Sequence, residues 1–376
     1  MLKTLLITTD FPPIVGGVSE YLSQICARLP KEDITVLSPI ENGASAFDLK
    51  QRYKIIRKKF YIKSRFFWPK WFLLLCNSCK VIRSNNIKQI VVGQILPVGT
   101  AALLISYLFK IPYIVSTHAM DITILQSSAR KTWLAKKILE KSTHIVTVSH
   151  YTKSKITDLG IVEKKITIIS PGTDILQHGS TDHQKEIAQQ YHLGGKKILL
   201  TVGRIIERKG HMDVLKALPD IIQSFPNINY VITSDGPYRA VLEEYISKNN
   251  LESYVTFIGT ISREALPSLY QLADVFIMPT RILANNDVEG FGIVYLEANA
   301  FGKPVIAYNS GGVSDAVLHK KTGLLIEPKK PSELAKSVVN LLEDTAYANQ
   351  LGVQGRERVR EEFDWEVKAR AFSDIL

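Results

Sequence analysis

Residues 198–211 read ILLTVGRIIERKGH and predict a strand followed by a loop. An apolar strand ends there at Val202, Gly203 leaves room for a ligand to approach the backbone, and two cations follow, Arg204 and Lys209. Ligands of parallel α/β sheets bind beyond the carboxyl ends of the strands, and two cations at that edge predict a clamp for a diphosphate. Two solvated charges are the alternative interpretation. The chain lacks the Walker pattern GxxxxGKS/T, which disfavours a P-loop nucleotidase.

Short apolar runs alternate with amphipathic segments on both sides of this stretch. The predicted strands are Thr4–Thr8, Ile34–Leu37, Gln89–Val92, Tyr113–Ser116, His144–Val148, Lys197–Val202, Asn229–Thr233, Tyr254–Ile258, Val275–Met278 and Val305–Tyr308. Such alternation predicts parallel sheets covered by helices. The pattern restarts after residue 195, and 376 residues exceed what one core usually holds. We therefore expect an α/β protein with two Rossmann-like domains whose parallel sheets face each other across a ligand-binding cleft.

The polar stretch 175–195 predicts a linker between the two domains. It separates an N-terminal domain, residues 1–174, from a C-terminal domain, residues 196–356. The three cysteines form too sparse a set for a disulfide scaffold and fit a reducing cytoplasm. The longest apolar stretch, near 95–109, is shorter than the ~20 residues that a spanning helix needs. The sequence thus predicts a protein that can lie on a membrane without crossing it.

Positive charge is concentrated in the N-terminal half. The formal charge is +11, but residues 1–180 hold 25 basic and 11 acidic residues, and residues 49–120 hold 13 basic and none acidic. The densest part interleaves basic and aromatic residues, and its candidates for a membrane or acceptor surface are Lys58, Lys59, Lys63, Arg65, Trp68 and Trp71. Aromatic rings beside cations are typical of an anionic membrane interface. The alternative is a basic surface helix whose rings pack on their own domain; nucleic acid is disfavoured because no known binding motif accompanies the segment.

A second candidate phosphate site follows the first predicted strand. Residues 10–17 read DFPPIVGG and lead into a predicted helix. Gly16 and Gly17 permit close approach to the backbone, and the free N–H groups of a helix N-terminus suit a phosphate. The alternative is an ordinary strand–helix turn. The pattern is not GxGxxG, which disfavours a dinucleotide oxidoreductase.

A pair of glutamates marks a third element, DVEGFGIVYLEA at residues 287–298. Glu289 precedes a predicted helix and Glu297 lies two turns inside it. Carboxylates accept hydrogen bonds from neighbouring hydroxyls such as those of sugars and riboses. The glycines between them supply an anion site without a metal, so no metal site is predicted here.

The glycine loop at 10–17, the strand and cations at 198–211 and the glutamate pair at 287–298 follow one another along the chain. In this order they resemble the family-4 retaining glycosyltransferases of the GT-B fold, and they look most like the bacterial mannosyltransferase-like branch that acts on glycolipids. Further segments that carry the resemblance are Thr117–Asp121, Val148-Ser149, Ser170–Asp174, Ser234–Pro237, Ala273–Pro279 and Ser310–Gly312. The resemblance also implies that the last segment, 357–376, is a helix that crosses back to the N-terminal domain. The N-terminal domain would then bind the acceptor and the C-terminal domain the donor.

The resemblance implies a role for each matched residue. The catalytic residues would be His118 near the transferred sugar, Arg204 and Lys209 on the donor diphosphate, and Glu289 on the sugar hydroxyls. The donor-binding residues would be Gly16, Gly17, Gly203, Ser234, Gly236, Phe291, Gly292 and Glu297, the last on the ribose. Ser234 stands where the family usually has the first glycine of Gly-Asp-Gly-Pro, so the preferred base stays open.

The implied reaction is transfer of a sugar from a nucleotide-diphosphate donor with retention of anomeric configuration and without metal or cofactor. Mannose from GDP-mannose and a glycolipid, lipid-linked or polysaccharide acceptor are the leading expectation, on the cytoplasmic face of the membrane. The open alternatives are a UDP-sugar with a soluble acceptor, a nucleotide-sugar epimerase or phosphorylase, and a non-catalytic α/β protein that binds anions or nucleic acid.

Overall fold

The computed structural model describes residues 1–63, 68–174 and 181–376. The chain forms two compact units. The first contains residues 1–171 together with 365–376, and the second contains residues 172–364. Each unit is a parallel sheet covered by helices, which confirms the α/β class and the two Rossmann-like domains.

The first unit is built on a parallel sheet in the order β3-β2-β1-β4-β5-β6-β7. Its strands are β1 (Thr4–Ile7), β2 (Ile34–Pro39), β3 (Lys54–Lys58), β4 (Gln89–Val92), β5 (Tyr113–Thr117), β6 (His144–Thr147) and β7 (Ile166–Ile168). In the central register, Leu5 of β1 lies between Thr35 of β2 and Ile90 of β4. The strand order reverses between β1 and β4, and such a switch point opens a crevice at the carboxyl edge of a sheet.

The second unit repeats this plan with the order β10-β9-β8-β11-β12-β13. Its strands are β8 (Lys197–Thr201), β9 (Ile228–Thr233), β10 (Val255–Gly259), β11 (Val275–Ile277), β12 (Val305–Tyr308) and β13 (Gly323–Ile326). The switch point here lies between β8 and β11. The loop that begins at Gly203 therefore leaves the sheet at its expected binding edge.

Helices cover the faces of both sheets. In the first unit they are α1 (Gly17–Arg28), α2 (Ala44–Asp48), α3 (Phe72–Ser84), α4 (Thr100–Phe109), α5 (Met120–Thr123), α6 (Ala129–Lys141) and α7 (His150–Thr157). In the second they are α8 (Thr181–Gln190), α9 (His211–Ser224), α10 (Arg239–Lys248), α11 (Leu266–Leu272), α12 (Ile293–Ala300), α13 (Val313–Ala316), α14 (Pro331–Glu343) and α15 (Thr345–Glu362); the last helix, α16 (Trp365–Ser373), returns to the first unit.

The core of each unit lies between the central strands and their helices. Strands β1 and β4 are buried along their whole length, as expected for parallel strands covered on both faces. Helix α9 buries the apolar stripe that contains Val214, Leu218 and Ile221. The three strands without a predicted counterpart, β3, β7 and β13, all lie at sheet edges. Three of the five residues of β3 are basic, and β7 has only three residues. Charged residues are typical of edge strands, which have only one neighbour.

The segments at the domain boundaries differ in detail from the sequence expectation. The predicted linker contains helix α8, which packs against α11 through a hydrogen bond from Gln184 to Gln271. The predicted C-terminal helix 357–376 is divided, since α15 ends at Glu362 in the second unit. Helix α16 packs on α1, where Trp365 lies 6.0 Å from the Tyr21 ring. The cleft between the two sheets stays a prediction.

Candidate functional site

The carboxyl edge of the second sheet carries a cluster of four charged side chains. The Glu289 Oε2 atom accepts hydrogen bonds from Arg208 Nη1 at 2.6 Å and from Lys209 Nζ at 2.7 Å. Arg208 Nε also lies 3.0 Å from Asp287 Oδ1. The loop after β8 therefore holds the loop before α12 through paired, largely desolvated charges. Arg208 was missing from the sequence prediction, which named only its neighbour Lys209.

Burial and charge act in opposite directions on these groups. Burial raises the pKa of Glu289, but the Arg208 and Lys209 charges outweigh it and lower that pKa to about 2. Burial lowers the pKa of Lys209, and the Glu289 carboxylate offsets only part of this effect. Glu289 is therefore ionised at neutral pH and holds two cations beside the strand ends, where a donor diphosphate would need them.

Arg204 occupies a different environment from the buried cluster. Its side chain is exposed and makes no ion pair within the described ranges. Its positive charge nevertheless lies close enough to contribute to the lowered pKa of Lys209. A Cβ atom built at Gly203 would lie 3.6 Å from Lys209 Cε, so Gly203 adjoins the same cation. The structure thus brings Gly203, Arg204 and Lys209 together.

Glu297 is held by a tyrosine that the sequence prediction did not include. The Tyr270 hydroxyl donates to Glu297 Oε2 at 2.5 Å. The Tyr270 ring is fully buried and stacks on Phe301 with 5.5 Å between ring centroids and an angle of 10°. Burial and the Glu297 charge raise the pKa of Tyr270 well above its ordinary value, so it remains a donor. This bond fixes one carboxylate oxygen of Glu297.

Helix α12, which carries Glu297, begins directly after Gly292. Gly292 has φ of 93°, and a Cβ atom there would lie 2.4 Å from the Tyr295 ring. Only glycine fits this position without strain. Phe291 is buried and lies 5.8 Å from the ring of Phe363. The turn that leads into the helix is thereby fixed between Glu289 and Glu297.

The loop after β9 carries the departure from the family pattern. Ser234 has φ of +65°, a left-handed conformation that glycine adopts far more easily. Its backbone N–H donates to the Gly259 carbonyl at 2.6 Å. A Cβ atom at Gly236 would lie 2.2 Å from the Ile205 carbonyl oxygen, so this glycine is required by close backbone packing. The two loops after β8 and β9 are therefore in direct contact.

In the first unit, the predicted phosphate loop leads into α1 as expected. Helix α1 begins at Gly17, and a Cβ atom built at Gly16 or Gly17 meets nothing within 4 Å. Packing inside the protein does not require glycine there, which leaves room for a ligand at the helix N-terminus.

His118 follows β5 and sits against the helix α1. Its ring meets the Tyr21 ring edge-on at 5.4 Å, and Nε2 lies 3.4 Å from Ser116 Oγ. Burial lowers the pKa of His118 to about 3, so the imidazole is neutral at physiological pH. The His118 backbone N–H donates to Asp121 Oδ1 at 2.9 Å, which fixes the turn. A neutral, oriented imidazole can exchange hydrogen bonds with a hydroxyl group.

Two carboxylates near this turn were not assigned by the sequence analysis. Burial raises the pKa of Asp121 to about 7, and the Asp10 charge adds to this rise. Gln94 Nε2 donates to Asp10 Oδ2 and to Thr8 Oγ1, each at 2.9 Å. These residues follow three neighbouring strands, β1, β4 and β5. The one sequence signal that indicates Asp10 and Asp121 is that each follows a predicted strand.

The described part of the basic aromatic segment lies between the end of β3 and the start of α3 at Phe72. Lys58 ends β3, and Lys58, Lys59, Lys63 and Trp68 are exposed. Trp71 packs against the core of its unit and is therefore not a free surface side chain. Arg65 lies outside the described residues.

The described residues show neither a metal cluster nor a membrane-spanning helix. They contain no group of three or more His, Cys, Asp or Glu side chains arranged to hold a metal ion. None of their helices combines the length and hydropathy that crossing a bilayer requires.

Known proteins match both units of the chain. The family model "Glycosyltransferase Family 4" matches residues 15–176, and "Glycosyl transferases group 1" matches residues 182–358. The GDP-mannose-dependent alpha-(1-6)-phosphatidylinositol monomannoside mannosyltransferase of Mycobacterium tuberculosis is 31% identical over 100% of this chain and 98% of its own. The GDP-mannose-dependent monoacylated alpha-(1-6)-phosphatidylinositol monomannoside mannosyltransferase of Corynebacterium glutamicum is 28% identical over 100% of this chain and 97% of its own.

Solved structures show the same fold at low identity. Anabaena HepE in complex with UDP and glucose superposes with a TM-score of 0.85 at 19% identity, over 100% of this chain and 99% of its own. WaaG, a glycosyltransferase involved in lipopolysaccharide biosynthesis, gives a TM-score of 0.75 at 15% identity over 99% of each chain. The fold and the full-length sequence match agree with the charged clusters at the strand ends. The chain belongs to the family-4 glycosyltransferases and has the GT-B fold.

Proposed function

We propose that this protein transfers mannose from GDP-mannose to a lipid-linked acceptor with retention of anomeric configuration and without a metal. The observation that carries the proposal is the Glu289 carboxylate, held by Arg208 and Lys209 at the carboxyl edge of the second sheet. The full-length relatives named as GDP-mannose-dependent mannosyltransferases support the choice of donor and acceptor.

The donor would lie along the edge of the second sheet. Arg204 and Lys209 would bind the diphosphate, the first as a fork of N–H donors and the second as a point charge. Glu297, whose carboxylate is held by the Tyr270 hydroxyl, would accept hydrogen bonds from the ribose hydroxyls. Glu289 would accept hydrogen bonds from hydroxyls of the sugar, and the backbone N–H groups of the turn before α12 would assist it. Gly203, Ser234 and Gly236 would line the nucleotide.

The reaction would exchange one bond of the anomeric carbon for another on the same face of the sugar. The bond from that carbon to the diphosphate oxygen breaks, and the acceptor hydroxyl oxygen bonds to the carbon. The hydroxyl proton moves to the leaving phosphate oxygen. The charge that develops on the diphosphate would be stabilised by Arg204, Lys209 and the N-terminus of α1 at Gly16 and Gly17.

The first unit would supply the acceptor side and help to exclude water. His118 is neutral because of its burial, so it would contact the transferred sugar as an uncharged hydrogen-bonding group. Domain closure would bring it to the donor and suppress hydrolysis. The domain limits we propose are 1–174 for the acceptor domain and 196–356 for the donor domain, with the linker 175–195 between them. The segment 357–376 would return to the acceptor domain through α16.

The acceptor would be reached at an anionic membrane surface, on the cytoplasmic side. The exposed cations Lys58, Lys59 and Lys63 and the exposed ring of Trp68 support this placement. A glycolipid or a polysaccharide on a lipid carrier would present its hydroxyls at that surface. The protein would then be peripheral on the inner face of the cell membrane.

The test begins with thermal shift of the full chain by GDP, UDP and ADP. We expect GDP to give the largest shift, and GDP-mannose then to be hydrolysed slowly and transferred rapidly when a mannosylated phosphatidylinositol is added. NMR of the product should show the anomeric configuration of the donor. A larger thermal shift with UDP would indicate a UDP-sugar as the donor. Ser234, which departs from the family pattern beside the proposed nucleotide site, would then account for the change of base.

The clamp itself is tested by Arg204→Ala combined with Lys209→Ala. Each removed group is expected to cost about 10²-fold or more in the rate of transfer, as for other donors that stabilise developing charge. Near-normal transfer by this double variant would overturn the assignment of the diphosphate site.

A further inference from the structure

Helix α4 is apolar on almost every side, yet one face of it is exposed. The helix reads TAALLISYLF and contains no charged residue. Ala101, Ala102 and Ile105 are buried against the core, while Leu104, Tyr107 and Leu108 point outward. The exposed fractions are 58% for Tyr107 and 69% for Leu108. Positions 104, 107 and 108 lie on one face at helical spacing, so they form a ridge. An apolar helix face normally packs against another apolar surface.

Cations flank this ridge on both sides. Lys141 of α6 places Nζ 5.3 Å from the centre of the Tyr107 ring. Arg83 of α3 places its guanidinium carbon 5.1 Å from the centre of the Phe109 ring. These contacts hold the ends of two long side chains beside α4. The ridge is thus bordered by one basic helix on each flank.

The apolar surface continues onto the two neighbouring helices. An open depression of about 680 Å³ is lined by Phe72, Leu75, Cys79 and Leu108, together with Lys80 and Arg83. On α6, Trp133 is 63% exposed and stands one and two turns before Lys137 and Lys141. The face therefore combines exposed apolar side chains with cations along three adjacent helices.

The charge of this face distinguishes between possible occupants. Helices α3, α4 and α6 with residue 110 carry eight basic residues, and Glu140 is their only acidic one. Glu140 is already paired with Lys136 and Lys137. A second copy of the same face would bring like charges together. An anionic bilayer offers both an apolar layer for the ridge and negative headgroups for the flanking cations.

We propose that the α4 ridge, formed by Leu104, Tyr107 and Leu108, inserts into the interfacial layer of an anionic membrane. The cations of α3 and α6 bind the surrounding headgroups. With ten residues, α4 spans about 15 Å at 1.5 Å per residue and so lies along the surface. This surface is distinct from the segment 58–71, and the proposal rests on the membrane-bound acceptor proposed above. Docking through α4 would hold the first unit on the bilayer that contains the acceptor.

The experiment is co-sedimentation of the full chain with vesicles of phosphatidylcholine, alone or mixed with phosphatidylglycerol. The test variant combines Tyr107→Ser with Leu108→Ser, both exposed in the free protein. The matched control combines Val241→Ser with Val353→Ser, which removes two exposed apolar side chains from the second unit. We expect the test variant to lose about tenfold or more in its partition constant on the mixed vesicles, and the control to bind like the wild type.

The second variant pair addresses the charges. Lys137→Gln with Lys141→Gln should weaken binding to the mixed vesicles and reduce its sensitivity to salt, because screening acts on these contacts. Equal binding by wild type and the ridge variant, or no binding of the wild type to the mixed vesicles, would overturn the proposal. So would sedimentation of the wild type as a dimer that the ridge variant dissociates.

Thermal shift by GDP separates this proposal from the proposed function. The ridge variant should keep the wild-type shift, since its changes lie in the first unit on α4. A wild type that binds the mixed vesicles through the ridge but shows no shift with GDP would refute the donor assignment and leave the docking surface intact. A normal GDP shift without vesicle binding would refute the docking surface alone.

Discussion

Arg208→Met tests the interpretation of the buried charge cluster most directly. The Arg208 side chain is only 9% exposed, and it contacts Glu289 at 2.6 Å and Asp287 at 3.0 Å. Methionine has a similar reach and no charge, so the substitution removes the cation without leaving a large void. Both carboxylates are then left largely desolvated without their common partner.

The magnitude follows from what remains after the substitution. Removal of one member of a buried ion pair costs about 3–5 kcal/mol because it leaves an uncompensated charge. Lys209 still holds Glu289 at 2.7 Å, which places the expected loss near the lower end, about 3 kcal/mol. In a unit of this size, each kcal/mol of lost stability lowers Tm by about 2–4 °C. The expected decrease in Tm is therefore about 6–12 °C.

The assay is calorimetry of the full chain, with the transition of the second unit identified by its response to GDP. Arg204→Met is the matched control, since the same substitution at an exposed side chain should change stability by less than about 0.5 kcal/mol. Addition of Asp287→Asn to Arg208→Met should restore part of the loss because it removes one of the two stranded charges. Equal Tm values for the wild type and Arg208→Met would refute this account of the cluster.

Three further outcomes are expected from the same geometry. Tyr270→Phe keeps the stacked ring but removes the hydrogen bond to Glu297, so the KM for the donor should rise. In calorimetric titrations, the affinities of the variant for GDP and for its 3′-deoxy analogue should differ less than those of the wild type. An unchanged difference would argue against the positioning role. Ser234→Gly relieves the left-handed conformation and should stabilise the second unit by about 1 kcal/mol in urea unfolding, and no gain would mean that the serine is unstrained. The unfolding free energy should fall as the pH drops from about 6.5 towards 3, because His118 takes up a proton in the unfolded chain but not in the folded one. His118→Asn should reduce the change of unfolding free energy with pH by up to about 1.4 kcal/mol per pH unit. An unchanged pH dependence would contradict the burial of a neutral imidazole.

The strand-end residues could be predicted from the sequence because their signal is local. An apolar run followed by glycine and cations, as at 198–211, identifies both the strand and the edge at which it ends. The same reasoning found Gly16 and Gly17 after β1. The edge strand β3 was missed because three of its five residues are charged, and β7 because it has only three residues. The third missed edge strand, β13, shares neither feature, since it has four uncharged residues like the predicted β4.

Arg208 and Tyr270 could not be found in this way. Arg208 is adjacent to Lys209, and a strand-end motif does not determine which of two consecutive cations turns inward. The structure buries Arg208 because Asp287 and Glu289, about eighty residues away, meet it there. Tyr270 lies on α11, and its hydroxyl donates to Glu297 on α12. The partners of both residues are defined by tertiary packing, so no local pattern indicates them.

If the cluster binds the donor as proposed, its charge balance would link recognition of the phosphate to recognition of the sugar. Arg208 and Lys209 are matched by Asp287 and Glu289, which leaves Arg204 as the cation whose charge is not committed to an ion pair within the described residues. A diphosphate carries more negative charge than Arg204 alone can compensate, so it would draw the Lys209 ammonium away from Glu289. Arg208 would still hold the Glu289 carboxylate in place, with its lone pairs released for hydroxyl donors. The movement of one ammonium group would thus strengthen the phosphate site and open the sugar site together, and a nucleotide without its sugar would leave Glu289 with unpaired acceptors.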